Sequence, residues 1–292
     1  MYFYRMTREQ VYAIHHFDID SRDTAFYVKP LRQHVKQHPF TRLPHKHDFY
    51  FTMLVTKGSG QHEIDFVNYP VEPGSVFMMR PGQMHWWELS KDIDGFVFFH
   101  SKEYFEEGYI QLRLNRFDFF HSFQSEPYLK LTKKSMADLA FYFQQMLAEN
   151  QARKQFKHEK LRALLHLLYV DLSRLYATNK TKKSSRYQDL FGTFEMLIDK
   201  EYRSHRLPSY YASELSITEK HLNRICRECI NKTSSQLIAS RVLLEAKRLL
   251  IQTKLNVTQI GETLGFRDSS YFVRFFKKHT SITPLLFQKK YL

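Results

Sequence analysis

The sequence predicts an α+β chain, with a β-rich N-terminal part and a helical C-terminal part. Three observations carry this. Between about residues 26 and 100, short β-prone runs alternate with turns rich in Gly and Pro. From about residue 130 onward, apolar residues recur at intervals of three and four. The charge is also uneven. The chain of 292 residues carries a formal net charge of +14, and residues 181–292 hold 20 Lys and Arg against 10 Asp and Glu, whereas residues 1–180 hold 24 against 20. That length suits about two domains, each able to bury a core of its own. A basic excess concentrated at one end points to an anionic partner there, with nucleic acid the leading class.

The strands come first. YFTMLVTKGSGQHEIDF (50–66) is a β-rich run, a Lys-Gly-Ser-Gly turn and then an alternating strand. In NYPVEPGSVFMMRPGQMHWWEL (68–89), Pro-Gly turns at 73–74 and 81–82 bracket SVFMMR, and DGFVFFH (94–100) is a further strand. Several short strands at regular spacing predict an all-β barrel or sandwich. SMADLAFYFQQMLAENQ (135–151) and KHEKLRALLHLLYVDLSRLYA (157–177) then read as helices. The second carries a broad apolar face through Leu161, Leu164, Leu165, Leu168 and Leu172, which requires a partner: the β domain, the C-terminal domain or a second copy of the chain. TNKTKKSSR (178–186) is polar and aperiodic, as a linker is. The predicted organisation is a β-barrel over 1–130, a helical segment over 131–178, a linker over 179–186 and an all-α domain over 187–292.

Within the last domain, VTQIGETLGFRDSSYFVRFFKKH (257–279) combines aromatic and cationic residues. A short helix from Thr258 to Leu264 would turn at Gly265, where positive φ costs glycine nothing, and Asp268 or Ser269 would cap a second helix. Phe272, Phe275 and Phe276 then share its inner face, leaving Ser270, Tyr271, Arg274, Lys277 and Lys278 outside. This is the pattern of a helix-turn-helix whose second helix enters a DNA groove. The pattern recurs about 49 residues earlier in YYASELSITEKHLNRICRECI (210–230): Leu222, Ile225 and Cys226 face inward, Ser216 stands at the turn, and Lys220, Asn223, Arg224 and Arg227 form the outer stripe. SSQLIASRVLLEAKRLL (234–250) reads as a long connecting helix.

Two such units, one connecting helix and a Pro after the second unit (TSITPLLFQKKYL, 280–292) resemble the AraC/XylS family of transcription regulators, most fully over 245–284. Gly261, where the family more often has Ala, and the pair Cys226 and Cys229 depart from its pattern. The resemblance implies that both recognition helices enter successive major grooves. Bases would be read by Lys220, Asn223 and Arg224 in the first unit and by Ser270, Tyr271 and Arg274 in the second. Arg pairs with guanine and Asn with adenine through two atoms each. Arg227, Lys277, Lys278, Lys289 and Lys290 suit DNA contact, the lysines at phosphate.

The run LPHKHDFYFTMLVTKGSGQHEIDF, followed by YPVEPGSVFMMRPGQMHWWEL, resembles the cupin-type sensor domain found in the same family, which implies a small β-barrel with a central pocket. His45, His47 and His85 match three of the four metal ligands of enzymatic cupins, while the carboxylate position falls near Tyr50 or Phe51 and is not acidic. No metal or other cofactor is therefore expected. His45, His47, Phe49, Phe51, His85 and Trp87, with Trp86 beside them, are the candidate effector-contacting residues. An aromatic wall suits sugars, and equally planar or apolar ligands. The resemblance further implies a homodimer formed through 135–177, a small-molecule effector and, for an activator, contact with RNA polymerase.

The start, MYFYRMTREQ, has no apolar core followed by a cleavage site, and no apolar run reaches the ~20 residues of a membrane span. A cytoplasmic protein without membrane contact is expected. Two cysteines argue against a disulfide scaffold, and CREC (226–229) sits inside a predicted recognition helix with no second pair, which favours a packing role for Cys226. No nucleophile–base pair or phosphate-cradling loop stands out, so no enzymatic activity is expected. The competing readings are a metal-dependent cupin enzyme tethered to DNA and a ligand-independent DNA-binding protein.

Overall fold

The computed structural model describes residues 11–17, 25–107, 113–152, 154–178 and 187–291. The chain divides into two compact units, 10–181 and 182–292. The linker expected over 179–186 lies outside the described residues.

Among the described residues the first unit carries ten strands: β1 (Val11–Tyr12), β2 (Phe26–Pro30), β3 (Lys46–His47), β4 (Tyr50–Lys57), β5 (Gly60–Ile64), β6 (Val67–Val71), β7 (Ser75–Met79), β8 (His85–Leu89), β9 (Asp94–His100) and β10 (Tyr128–Lys130). They form a five-stranded sheet, β10-β7-β4-β9-β2, a three-stranded sheet, β6-β5-β8, and the parallel pair β1-β3. The hairpin between β5 and β6 turns on Asp65 and Phe66, both at positive φ, as a tight two-residue connection requires. The two main sheets enclose one core that holds Phe51, Met53, Phe77, Met79, Val97 and Phe99 from the larger and Ile64, Val71 and Trp87 from the smaller. This is the predicted cupin-like barrel.

Every residue of β7 is buried, and from Val76 to Met79 its sequence is a continuous apolar run rather than an alternation. The cause is a second covering layer. Leu54, Val76, Met78 and Phe98 point to the opposite face of the five-stranded sheet. There they meet α4 (Lys133–Ala152) and α5 (Lys157–Thr178), through Leu139, Phe143 and Met146 and through Leu161, Leu165, Leu168, Tyr169, Leu172 and Tyr176. The broad apolar face predicted on α5 thus has its partner within the barrel unit. A buried polar contact fixes the pairing. The Nδ1–H of His100 donates to the Ser101 carbonyl at 2.9 Å, so the bare Nε2 accepts the Tyr169 hydroxyl at 2.6 Å. Among the described residues, three short α-helices depart from the strand-and-turn expectation or lie in the stretch after it: α1 (Leu31–Gln37), α2 (Lys102–Glu106) and α3 (Asp118–His121).

The second unit is all helix, as predicted: α6 (Gln188–Glu201), α7 (Pro208–Glu214), α8 (Glu219–Ile230), α9 (Ser234–Gln252), α10 (Val257–Thr263), α11 (Ser269–Thr280) and α12 (Pro284–Tyr291). α7 with α8 and α10 with α11 are the two helix-turn-helix units, and α9 is the connecting helix. Its N-terminus is closed by a capping box between Thr233 and Gln236. Among the described residues no helix is long and apolar enough to cross a membrane.

Candidate nucleic-acid interface and sensor interior

Each recognition helix is anchored by an inner apolar face. In α8, Leu222, Ile225 and Cys226 are fully buried, and in α11 Phe272 and Phe276 are, with Phe275 half-buried beside them. Opposite those faces, Lys220, Arg224 and Arg227 on α8, and Ser270, Tyr271, Arg274, Lys277 and Lys278 on α11, are exposed. Exposure of Tyr271 is 55%, high for so large a ring. Lys289 and Lys290 on α12 are exposed as well. The helix starts are defined by Thr218, whose side chain accepts the His221 N–H, and by Asp268, which accepts the Ser270 N–H.

Asn223 departs from the expectation. It is half-buried, and its amide oxygen accepts both the backbone N–H of Ser234 at 3.0 Å and the Ser234 hydroxyl at 2.9 Å. Because a backbone N–H can only donate, the oxygen is committed to the start of α9. Two-atom recognition of adenine needs that oxygen as an acceptor. In this structure Asn223 braces α8 against α9 instead. Two cations outside the expected set also stand at the second helix-turn-helix unit. Arg206 and Arg267 line a surface depression with Ser204, Gly265, Asp268 and Tyr271. Arg267 is evident as a cation in the turn, whereas Arg206 lies 58 residues from the Leu264 carbonyl it touches.

Cys226 is buried and Cys229 is half-buried, and the two are not joined in a disulfide. Burial pushes the Cys226 thiol up to about 12, which keeps it protonated and unreactive.

In the barrel, His45, His47, Phe49, Phe51, His85 and Trp87 are all buried, while Trp86 is half-buried. The rings pack on one another: His47 stacks on Phe49 at 4.4 Å, Phe49 on Phe99 at 4.5 Å, and His45 lies 4.1 Å from His85. The interior is therefore a closed aromatic and imidazole core. It includes His34 and His62, which the sequence reading did not single out; His62 Nε2 lies 2.9 Å from His85 Nδ1. Alternation in β5 could have placed His62 inward.

The tautomers of two rings follow from their partners. His45 Nδ1 meets the Leu43 carbonyl and His47 Nδ1 the Phe49 carbonyl, so in each ring Nδ1 carries the proton and Nε2 is a lone pair. Burial lowers His45 to about 4 and His47 to about 3, and holds His34, His62 and His85 well below the ordinary imidazole value. All five are neutral at pH 7. Buried ring nitrogens remain without a hydrogen-bond partner at His34 Nε2, His47 Nε2, His62 Nδ1, His85 Nε2 and Trp87 Nε1. Among the described residues, no group of three or more His, Cys, Asp or Glu side chains is placed to hold a metal ion.

A β-barrel sensor carried with two helix-turn-helix units defines a class: DNA-binding transcription regulators with a ligand-binding domain. Comparison with known proteins places the chain within that class. Residues 26–165 match the AraC-like ligand binding domain family, and residues 211–290 match a helix-turn-helix domain family. The chain is 26% identical over 262 residues to the HTH-type transcriptional activator RhaR of Cronobacter sakazakii, covering 85% of this chain and 87% of that one. It is 24% identical to the HTH-type transcriptional regulator YfiF of Bacillus subtilis, covering 94% and 86%. Among solved structures, fatty-acid-bound ToxT of Vibrio cholerae aligns over 92% of this chain and 96% of that chain, at 15% identity and a TM-score of 0.43. The chain belongs to the AraC/XylS family of transcription regulators.

Proposed function

We propose that the protein is a transcription activator that reads a two-part DNA site with α8 and α11 and is controlled by a small molecule held in the barrel. The observation that carries the DNA reading is the opposition on both helices of a buried apolar face and an exposed cationic one. Lys220 and Arg224 on α8, and Ser270, Tyr271 and Arg274 on α11, are the proposed base readers. Arg227, Lys277 and Lys278 are assigned to the phosphates. The name of the relative RhaR, an activator, supports the sign of regulation, and with it contact with RNA polymerase and a cytoplasmic location.

The effector reading draws on the unpartnered ring nitrogens. The His47 lone pair needs a donor and the Trp87 N–H needs an acceptor, and a hydroxyl can serve either. A sugar or other polyol bound among His45, His47, Phe49, Phe51, His85 and Trp87 meets both needs once the stacked rings part. Such a ligand regulates only if it favours one arrangement of the chain over another. Phe141 on α4 and Leu167 on α5 are exposed apolar residues on helices whose other side is packed on the barrel, which supports a dimer formed there.

The test is selection of bound sequences from random duplex DNA at physiological salt. The expected result is an enriched motif of two elements about one helical turn apart. Arg274→Ala should then cost about 1–3 kcal/mol and relax the preference at one base pair, while Lys277→Ala should weaken all sequences alike and reduce the salt slope by about 1. Binding without any enriched motif, lost as salt rises, would refute the reading.

A further inference from the structure

Two recognition helices that read one duplex must be held at a fixed distance and phase. The connecting helix α9 is one tie between them. The structure contains a second, built from the turn that follows α6. That turn is fixed to the first helix-turn-helix unit and to α9. The N–H groups of Ser204 and His205 donate to the Glu201 carbonyl at 3.0 and 2.9 Å. The Tyr211 hydroxyl on α7 donates to the His205 carbonyl at 2.7 Å, and the His205 ring stacks on Tyr210 at 3.6 Å. Arg203 lies 3.7 Å from Glu245 on α9, and Arg241 on α9 bridges Asp199 on α6 at 2.6 Å and Glu245 at 3.1 Å.

From this braced turn, Arg206 crosses to the second unit. Its guanidinium donates to the Leu264 carbonyl at the end of α10 and lies 3.5 Å over the Phe266 ring. The chain between those two contacts is pressed against the same turn: a Cβ on Gly265 would sit 2.2 Å from the Arg203 carbonyl oxygen. Phe266 in turn packs on Phe272 at 5.2 Å and Phe275 at 5.3 Å, inside the anchoring face of α11. An unbroken line of contacts therefore runs from the body of the first helix-turn-helix unit through Arg206 and Phe266 to the second recognition helix.

We propose that Arg206 is a positioning residue that sets the permitted spacing between the two DNA elements, an inference that rests on the reading that both helices contact bases. One face of its guanidinium is covered by Phe266 and one of its donors is taken by Leu264. Its effect on DNA therefore passes through the pose of α11. Arg267, in the same depression but exposed, has the opposite character: a free-standing cation suited to phosphate.

The experiment uses the full chain. Selection with the unaltered protein comes first, and a motif lacking two elements would overturn the underlying reading irrespective of Arg206. With the motif in hand, affinities are measured for duplexes carrying the selected spacer and spacers one base pair longer and shorter. The unaltered protein should prefer the selected spacer by about tenfold or more. Arg206→Met keeps the aliphatic stem over Phe266 and removes the donor. Arg206→Lys keeps the charge but cannot both lie flat on the ring and reach the carbonyl. Both should reduce the spacer preference to under about threefold while the penalty for a wrong base within either element is unchanged. Arg267→Ala should weaken binding to all three duplexes alike. Wild-type spacer preference in both Arg206 variants would overturn the proposal. So would a uniform loss of affinity in Arg206→Met that Arg206→Lys restores, because that is the behaviour of a phosphate contact.

Discussion

The two helix-turn-helix units follow one backbone plan with different side chains, and their differences show which positions the plan dictates. In the first, the N–H of Ile217 donates to Ala212; in the second, the N–H of Phe266 donates to Gly261, 49 residues on in each case. The turn residue is left-handed in both, Ser216 at φ 54° and Gly265 at φ 76°. The second turn is one residue longer, so the buried triplet Leu222, Ile225 and Cys226 corresponds to Phe272, Phe275 and Phe276 at an offset of 50. The same offset carries through the left-handed helix ends, Asn231 and Ser281, whose N–H groups donate to Arg227 and Lys277. The repeat thus preserves the hydrogen bonds of the turns. What it varies is the inner face of the recognition helix, aliphatic and thiol on α8 and aromatic on α11, while the first helix carries the buried Tyr211 in one unit and Ile260 in the other. The wider rings of the second core leave less room around them. The residue facing Phe272 is glycine where the first unit has alanine.

The largest predicted contrast lies in the cores. Phe276→Ala should destabilise the C-terminal unit by about 3–5 kcal/mol, since the ring is fully buried, whereas the equivalent Cys226→Ala should cost only about 1 kcal/mol. Urea unfolding of the two variants checks this, and equal losses would mean that the two cores carry the same load. The turns come next. Gly265→Ala forces a Cβ into a left-handed position and against the Arg203 carbonyl, and should cost about 2–4 kcal/mol. Ser216→Gly, at the matching turn, should stay within about 1 kcal/mol of the parent and tend to stabilise, because the left-handed serine loses its strain. A tolerated Gly265→Ala would show that the second turn is not pressed against the 203–206 segment in solution.

A finer contrast tests the fit between the glycine and the aromatic core. A methyl group on Gly261 would lie 3.2 Å from Phe272 Cβ and 3.4 Å from its ring. Gly261→Ala should therefore cost about 1–2 kcal/mol despite the better helix propensity of alanine. In a Phe272→Leu background, which brings the second unit closer to the first, the same substitution should cost much less. A double-mutant cycle measures the difference, and strict additivity would sever the proposed link between the departure at Gly261 and the phenylalanine opposite.

How far all this was legible in the sequence depends on the range over which each feature acts. The strands over 50–57, 60–64, 75–79, 85–89 and 94–100 and the helices of both repeats were announced by local periodicity and turn residues. The seven-residue α1 was not, because two turns of helix carry too little period to separate from a strand-rich stretch. The apolar face of α5 was evident, but its partner was not. Only the structure shows that the five-stranded sheet is covered on both sides. In the barrel, a motif singles out His45, His47 and His85, whose rings lie close together, whereas their closure by stacked aromatic rings depends on packing across two sheets. Arg206 and Leu264 are 58 residues apart in the chain, and no local pattern marks that pair.

The smallest predicted effect separates a residue that reads DNA from one that only supports the reader. Arg274 and Asn223 were placed together as base contacts, one in each unit, yet the structure leaves Arg274 exposed and occupies the Asn223 oxygen with Ser234. Val273 stands at the matching place in the second unit, so the brace is a feature of the first unit rather than of the shared plan. Asn223→Ala should lower stability by about 1 kcal/mol through loss of the contacts at the start of α9. Its DNA preference should be unchanged at every base pair once binding is measured well below the unfolding temperature. Asn223→Asp, which keeps an acceptor for Ser234, should recover most of the lost stability. A relaxed preference at a single position in Asn223→Ala, with stability intact, would return Asn223 to the base-reading surface and require its side chain to leave Ser234 when DNA binds.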